Sequence, residues 1–334
     1  MRGRPNHRWP EALATGGRSA VLTLFLLSLA FVFINNRFTP TRAAARQCTL
    51  EDESGSLALV DGFCLWVRDR GPRTQDPTVI LLHSGPDFPT ASYDDAFRFL
   101  EHDRRVIAYD QRGAGHSQVR ELLSFYTMSQ LVQELELLRR NVIRSDSIVL
   151  IGHRLGGTLA LQYALTYPAY VDRVILISPL PPEGERMSSL ADPFISTLTE
   201  LVDFGLPPAD PEDADAWHAR AALQSARRMF SRADSVRHLL TAGGSFGPAR
   251  ALMSSLAAAG RGTTDVRGLT VPVLVLGGSL ADPDWMPAYR QDLVASLPHA
   301  KQVTFPQSGD WPFFEEPERF QRTVTAFLSG KETL

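Results

Sequence analysis

The feature that most constrains this chain is Gly152-His153-Arg154-Leu155-Gly156-Gly157. A short apolar run, Ser147–Ile151, leads into it, and Thr158–Leu165 leaves it with helical apolar spacing. A strand that becomes a helix over so few residues needs small flanks, because side chains there collide with the strand or the helix. Gly152 and Gly156 meet that need, so the sequence predicts a sharp turn with Arg154 at its apex. A strand feeding directly into a helix is also the unit of a mostly parallel sheet covered by helices.

The rest of the chain repeats this alternation. Leu57–Val60 and Cys64–Val67 flank Asp61-Gly62, a hairpin signal. Short strands are expected at Val79–Leu82, Arg105–Tyr109, Val174–Ile177, Val271–Leu276 and Val303–Phe305. Helical spacing runs through Met128–Val142 (Leu131, Val132, Leu135, Leu138) and through Glu316–Leu328. Residues 181–267 carry no clear strand and are rich in Ala, Arg, Ser and Asp, which reads as a helical cap inserted into the core. The expected organisation is a basic, apolar start (1–34), a linker (35–54), an α/β core (55–180 and 268–334) and the cap.

The net charge of −3 excludes a phosphate-neutralising surface, so no nucleic-acid partner is expected. There is no zinc-type spacing and no CxxC, and neither a metal nor a cofactor is expected. Arg2, Arg4, Arg8 and Arg18 precede the uncharged run Ala20–Ile34, expected as an apolar helix. The run suits an uncleaved membrane anchor with the main domain outside the cytoplasm, or the core of a cleaved secretory signal. Ala43-Ala44-Ala45 lies far beyond the run for a cut site, which favours the anchor; an Arg-rich transit peptide fits less well because the run is too apolar. Cys48 and Cys64 would be free thiols in a reducing compartment and could pair in an exported protein.

Four further segments carry the chemistry. His83-Ser84-Gly85-Pro86 follows a strand; Asp110-Gln111-Arg112-Gly113-Ala114-Gly115-His116-Ser117 follows the next. Gly277-Gly278-Ser279-Leu280-Ala281-Asp282-Pro283 follows another, and Ser308-Gly309-Asp310-Trp311-Pro312-Phe313-Phe314-Glu315-Glu316-Pro317 lies beyond the last. With the turn at 152–157 these resemble, in order, the HGGP loop, the DQRGxGxS loop, the GHSLGG nucleophile elbow, the acid loop and the GHWPFLEEPE segment of the proline iminopeptidase-like branch of the α/β-hydrolase fold family. The resemblance covers about residues 55–180 and 268–334 and implies a doubly wound, mostly parallel sheet with a helical cap. It implies an oxyanion-hole-like cradle at Ser84, Gly85 and Leu155, and catalytic positions at Arg154 (nucleophile), Asp282 or Asp284 (acid) and Asp310 (base). The cap shows no matching peptidase signature.

Two of those positions break the family pattern. Arg154 stands where the serine belongs and Asp310 where the histidine belongs. Guanidinium is protonated at any ordinary pH and has no lone pair to offer as a nucleophile. Aspartate can accept a proton but has no hydroxyl to activate. The two positions lie within hydrogen-bond reach in the family fold, so an ion pair between them is expected, with Asp282 beside it. The resulting expectation is a membrane-anchored α/β-hydrolase-like protein, inactive as a serine hydrolase, whose capped pocket takes an unknown small molecule or protein. The alternatives are a lyase, isomerase or cyclase using Arg154 and the carboxylates, or a hydrolase or peptidase with a relocated nucleophile. Ser84, His83, His116, Ser117, His153 and Asp87 are read as structural residues, His299 as a surface histidine, and Asp210, Glu212, Asp213 and Asp215 as a solvated cap loop.

Overall fold

The structure, a computed structural model, describes residues 48, 55–85, 88–93, 95–119, 126–181, 230–231, 252, 265–280 and 286–330. Met1–Cys48 forms one unit and Thr49–Leu334 another, so every described residue but Cys48 belongs to the second. The apolar run 20–34, most of the cap, Asp87, Asp282 and Asp284, and the acidic run 210–215 lie outside the described residues. Among the described residues no helix is long and apolar enough to cross a membrane. Cys48 and Cys64 are both disulfide-bonded.

The described strands form one eight-stranded sheet in the order β1-β2-β4-β3-β5-β6-β7-β8. β1 (Ser56–Val60) and β2 (Phe63–Arg70) form an antiparallel hairpin, and β2 also pairs antiparallel with β4 (Val106–Tyr109). β3 (Thr78–Leu82), β5 (Ile148–His153), β6 (Val171–Ile177), β7 (Val273–Gly278) and β8 (Ala300–Phe305) continue the sheet in parallel. The hairpin turn has Asp61 at φ 50 and Gly62 at φ 78, the left-handed pair that a two-residue turn between twisted strands requires.

Both sheet faces are covered, and the strands show why. Ile80 and Leu82, Leu150, Val174 and Leu176, Val273 and Val275 point into one core. Val79 and Leu81, Val149 and Ile151, Ile175 and Ile177, Leu274 and Leu276 point into the other. Side chains alternate across a strand, so a run that is apolar at every position can be stable only with a layer on each face. The first layer holds α1 (Met128–Leu137), α2 (Leu155–Thr166) and α3 (Met286–Ser296); the second holds α4 (Pro312–Glu315) and α5 (Pro317–Leu328).

The expected elements are present with shifted ends. The helix expected over Met128–Val142 is α-helical only to Leu137 and widens to a π-type turn over Leu138–Ile143, ending at Arg144 in left-handed geometry (φ 55). The wider turn is closed by the Arg144 N–H to Arg139 O at 2.7 Å. β5 extends past Ile151 to His153, and α2 starts at Leu155, so the turn between them is a single residue.

Candidate functional site: a degenerate elbow closed by an ion pair

Arg154 sits alone between β5 and α2 at φ 48 and ψ −112, a strained conformation for a residue with a side chain. Its backbone is held on both sides. The N–H donates to Ile177 O at 2.9 Å, and its carbonyl accepts from Gly157, Thr158 and Leu180 at 2.9, 3.1 and 3.3 Å. The glycines permit this closeness. A Cβ on Gly152 would lie 2.2 Å from Gly156 O, and one on Gly156 would lie 2.1 Å from Leu82 O. The elbow geometry therefore survives with an arginine at the apex.

The Arg154 Nη1 donates to Asp310 Oδ2 in a buried ion pair. The Asp310 side chain is fully buried and that of Arg154 is 10% exposed. An isolated guanidinium here would cost several kcal/mol of desolvation, and the carboxylate offsets most of that.

The Asp310 loop is braced from its own downstream helix. Gly309 N–H donates to Glu315 Oε2 at 2.7 Å, and Gln307 N–H and Ser308 Oγ donate to Glu316 Oε2 at 3.0 and 2.7 Å. Ser231 donates to Glu315 Oε1 through N–H at 2.8 Å and through Oγ at 2.5 Å, the hydroxyl also lying 2.8 Å from Gln307 O. Phe230 stacks on Trp311 with centroids 5.2 Å apart and planes 3° apart.

His153 lies beneath the pair. Its Nε2 is 2.9 Å from Asp310 O, and a carbonyl can only accept, so Nε2 carries the proton. Burial pushes this imidazole well below its usual range, the Arg154 charge pushes it further, and the bond to Asp310 O opposes both. His153 is thus a neutral brace rather than a base.

His83 and Ser117 are held in hydrogen bonds of the loops around the elbow. His83 Nε2 accepts from Gln111 N–H at 2.8 Å, which leaves the proton on Nδ1 for Gly85 O at 2.9 Å. Ser117 Oγ donates to Asp110 O at 2.5 Å and accepts from Trp66 N–H at 2.9 Å, so it is no spare nucleophile. Asp110 accepts from Thr90 and His116 N–H at 2.8 and 2.9 Å. Burial works to raise the Asp110 carboxyl, but these bonds and the neighbouring His116 and His83 hold it below the usual range. Arg112 spans from Glu134 (2.7 Å) to Asp61 (3.0 Å), fastening α1 to the first hairpin. His299 is exposed, as a surface residue should be.

One site residue escaped the sequence reading. Arg290 is 1% exposed, donates through Nη2 to Gly278 O at 2.6 Å, and leaves Nε and Nη1 buried without a partner. Burial lowers its pKa and Asp310 acts to raise it. The signal was present: Met286, Tyr289, Arg290 and Leu293 are all buried, at the i, i+3, i+4, i+7 spacing of a core-facing stripe.

Residues 77–317 match the alpha/beta hydrolase fold family. A proline iminopeptidase of Lactiplantibacillus plantarum is 26% identical over 288 residues, covering 81% of this chain and 99% of that protein. A Bacillus subtilis protein named for 2-succinyl-6-hydroxy-2,4-cyclohexadiene-1-carboxylate synthase activity is 25% identical over 286 residues, covering 82% of this chain and 98% of that one. The solved proline iminopeptidase of Mycobacterium smegmatis superposes with a TM-score of 0.61 at 19% identity, over 82% of this chain and 97% of its own, a likeness of fold.

Proposed function

The chain belongs to the alpha/beta hydrolase fold family, and from the ion pair at its elbow we propose that it is a member without serine-hydrolase activity, whose capped pocket binds a ligand or a protein. The observation that carries this reading is the Arg154–Asp310 pair. Nucleophilic acyl transfer needs a hydroxyl, a base beside it and a group to orient that base. The apex here offers a cation that cannot attack, and the partner that would act as base is held by that cation. Loss of triad members leaves at most a residual ~10³–10⁴-fold rate over water in studied enzymes, and that residue depends on an open oxyanion hole.

The apolar run 20–34 behind a basic start supports membrane attachment by the N-terminus. The disulfide-bonded state of both cysteines supports a main domain outside the reducing cytoplasm.

The test is labelling of the full chain by a fluorophosphonate probe, with turnover of activated esters and aminoacyl arylamides alongside. No labelling and no turnover are expected from the wild type. Labelling gained by the Arg154→Ser/Asp310→His variant would show that the elbow was closed by these two residues. Wild-type labelling that is abolished by one serine substitution would overturn the reading. Extraction of membranes at alkaline pH tests attachment, with the full chain expected in the pellet and a chain lacking residues 1–45 in the supernatant.

A further inference from the structure

Two non-glycine residues with left-handed backbone meet at the elbow. Arg154 has φ 48 and Ser178 has φ 43, and the Arg154 N–H donates at 2.9 Å to the carbonyl of Ile177, the residue before Ser178. Ser178 bears three costs at once. Its side chain disfavours a positive φ. The next residue is Pro179, and a residue before proline is pushed toward extended backbone instead. Its hydroxyl is fully buried and makes no hydrogen bond. What keeps Ser178 in this state is a short arm that folds back over the apex. The Ser178 N–H donates to Leu276 O at 2.7 Å, and the Leu180 N–H donates to Arg154 O at 3.3 Å. Leu180 O accepts from Thr158 Oγ1 at 2.7 Å and from Tyr289 OH at 3.4 Å. Pro179 sits against Gly157, where a Cβ would meet its Cβ and Cα at 3.1 and 3.2 Å. Pro179 and Pro181 have a fixed φ and no N–H, so the arm is stiff and Leu180 carries its one backbone donor. That donor's bond is longer than the usual N–H···O range. A stiff arm turns about its end, and the strained end is Ser178.

We propose that residues 179–181 are a latch, hinged at Ser178, with two states. Latched, as here, Leu180 grips the main chain of Arg154 and, through Thr158, the first turn of α2. Unlatched, Ser178 returns to a negative φ, its hydroxyl reaches water, and Leu180 releases both contacts. The strain stored at Ser178 brings the two states close in free energy, and the bonds at Leu180 decide between them. The latch sets how firmly the apex that carries Arg154 is held, and it stands whether or not that apex is catalytic.

The test is amide hydrogen exchange of the full chain in detergent, read by mass spectrometry in peptides that span this stretch. Between residues 178 and 181 only Ser178 and Leu180 carry an amide, so the signal reads the latch almost alone. In the wild type Leu180 is expected to exchange at least about tenfold faster than Ile175 and Leu176 of β6, because unlatching needs no unfolding of the sheet. Ser178→Gly accepts the left-handed φ and has no hydroxyl to bury. It is expected to slow Leu180 exchange about fivefold, the relief of strain outweighing the freedom a glycine adds to the unlatched state. Thr158→Val keeps the shape of the side chain and removes one latch bond, and is expected to speed Leu180 exchange about fivefold. The two substitutions act on opposite sides of the equilibrium, so either carries the test if the other fails to fold. Leu180 exchanging as slowly as β6 in the wild type would show that no separate opening exists and overturn the proposal. Unchanged or faster exchange in Ser178→Gly, or unchanged exchange in Thr158→Val, would overturn it too.

Discussion

His153 Nε2 donates to the Asp310 carbonyl at 2.9 Å, while the next residue, Arg154, holds the Asp310 carboxylate. Two successive residues of the elbow thus fix the main chain and the side chain of the same aspartate.

Removing Asp310 should therefore be costly. Asp310→Ala leaves the Arg154 charge buried without its carboxylate, and a loss of about 3–5 kcal/mol is expected from urea unfolding. The Arg154→Leu/Asp310→Ala double variant should recover part of that loss, with a coupling of about 1–3 kcal/mol. Additive losses would mean that the two side chains do not interact in solution.

The neutral His153 predicts acid sensitivity. Its ordinary pKa is near 6.5, and the folded value is depressed well below that by burial and by Arg154. Below about pH 6.5 the unfolded chain gains a proton that the fold refuses. Stability present above that pH is therefore lost as pH falls toward the folded value, by up to about 1.4 kcal/mol per pH unit. Urea melts between about pH 7.5 and pH 5.5 should be steeper in pH for wild type than for His153→Asn, by about one proton.

Glycine positions should divide sharply. Gly152→Ala drives a Cβ into the backbone of Gly156 and should cost more than about 3 kcal/mol or prevent folding. At Gly268, where a Cβ would meet nothing within 4 Å, alanine should be neutral or stabilise by up to about 1 kcal/mol. Melting temperatures of the two variants provide the comparison.

The contact at Phe230 is open to the same kind of test. Phe230 is buried against Trp311 and also stacks with Phe314. Phe230→Ala should cost about 3 kcal/mol and speed proteolytic cleavage within 181–267 under native conditions. An unchanged cleavage rate would show that this contact does not protect the segment.

The core was legible because its signals are local. The Asp61-Gly62 turn, the all-apolar strands and the elbow glycines each state their geometry within a few residues. Strand ends were less legible: β2 continues through Arg68, Asp69 and Arg70, polar residues kept in the sheet by pairing with β4 rather than by burial of apolar side chains. The ion pair could be inferred because the family resemblance expects a serine and a histidine, within reach of each other, at these two positions. For Arg290 the local pattern carries only a place on the Met286–Leu293 stripe; what the guanidinium meets depends on where α3 packs against β7, which no local pattern encodes. The expected acid, Asp282 or Asp284, lies outside the described residues.

Glu315 links two positions that are distant in the chain. Its Oε2 accepts from Gly309, next to Asp310, and its Oε1 accepts twice from Ser231. One carboxylate thus fastens Ser231 and the backbone beside Asp310 to the same short helix. A substitution at this one position therefore disturbs both segments at once, however far apart they lie in the chain.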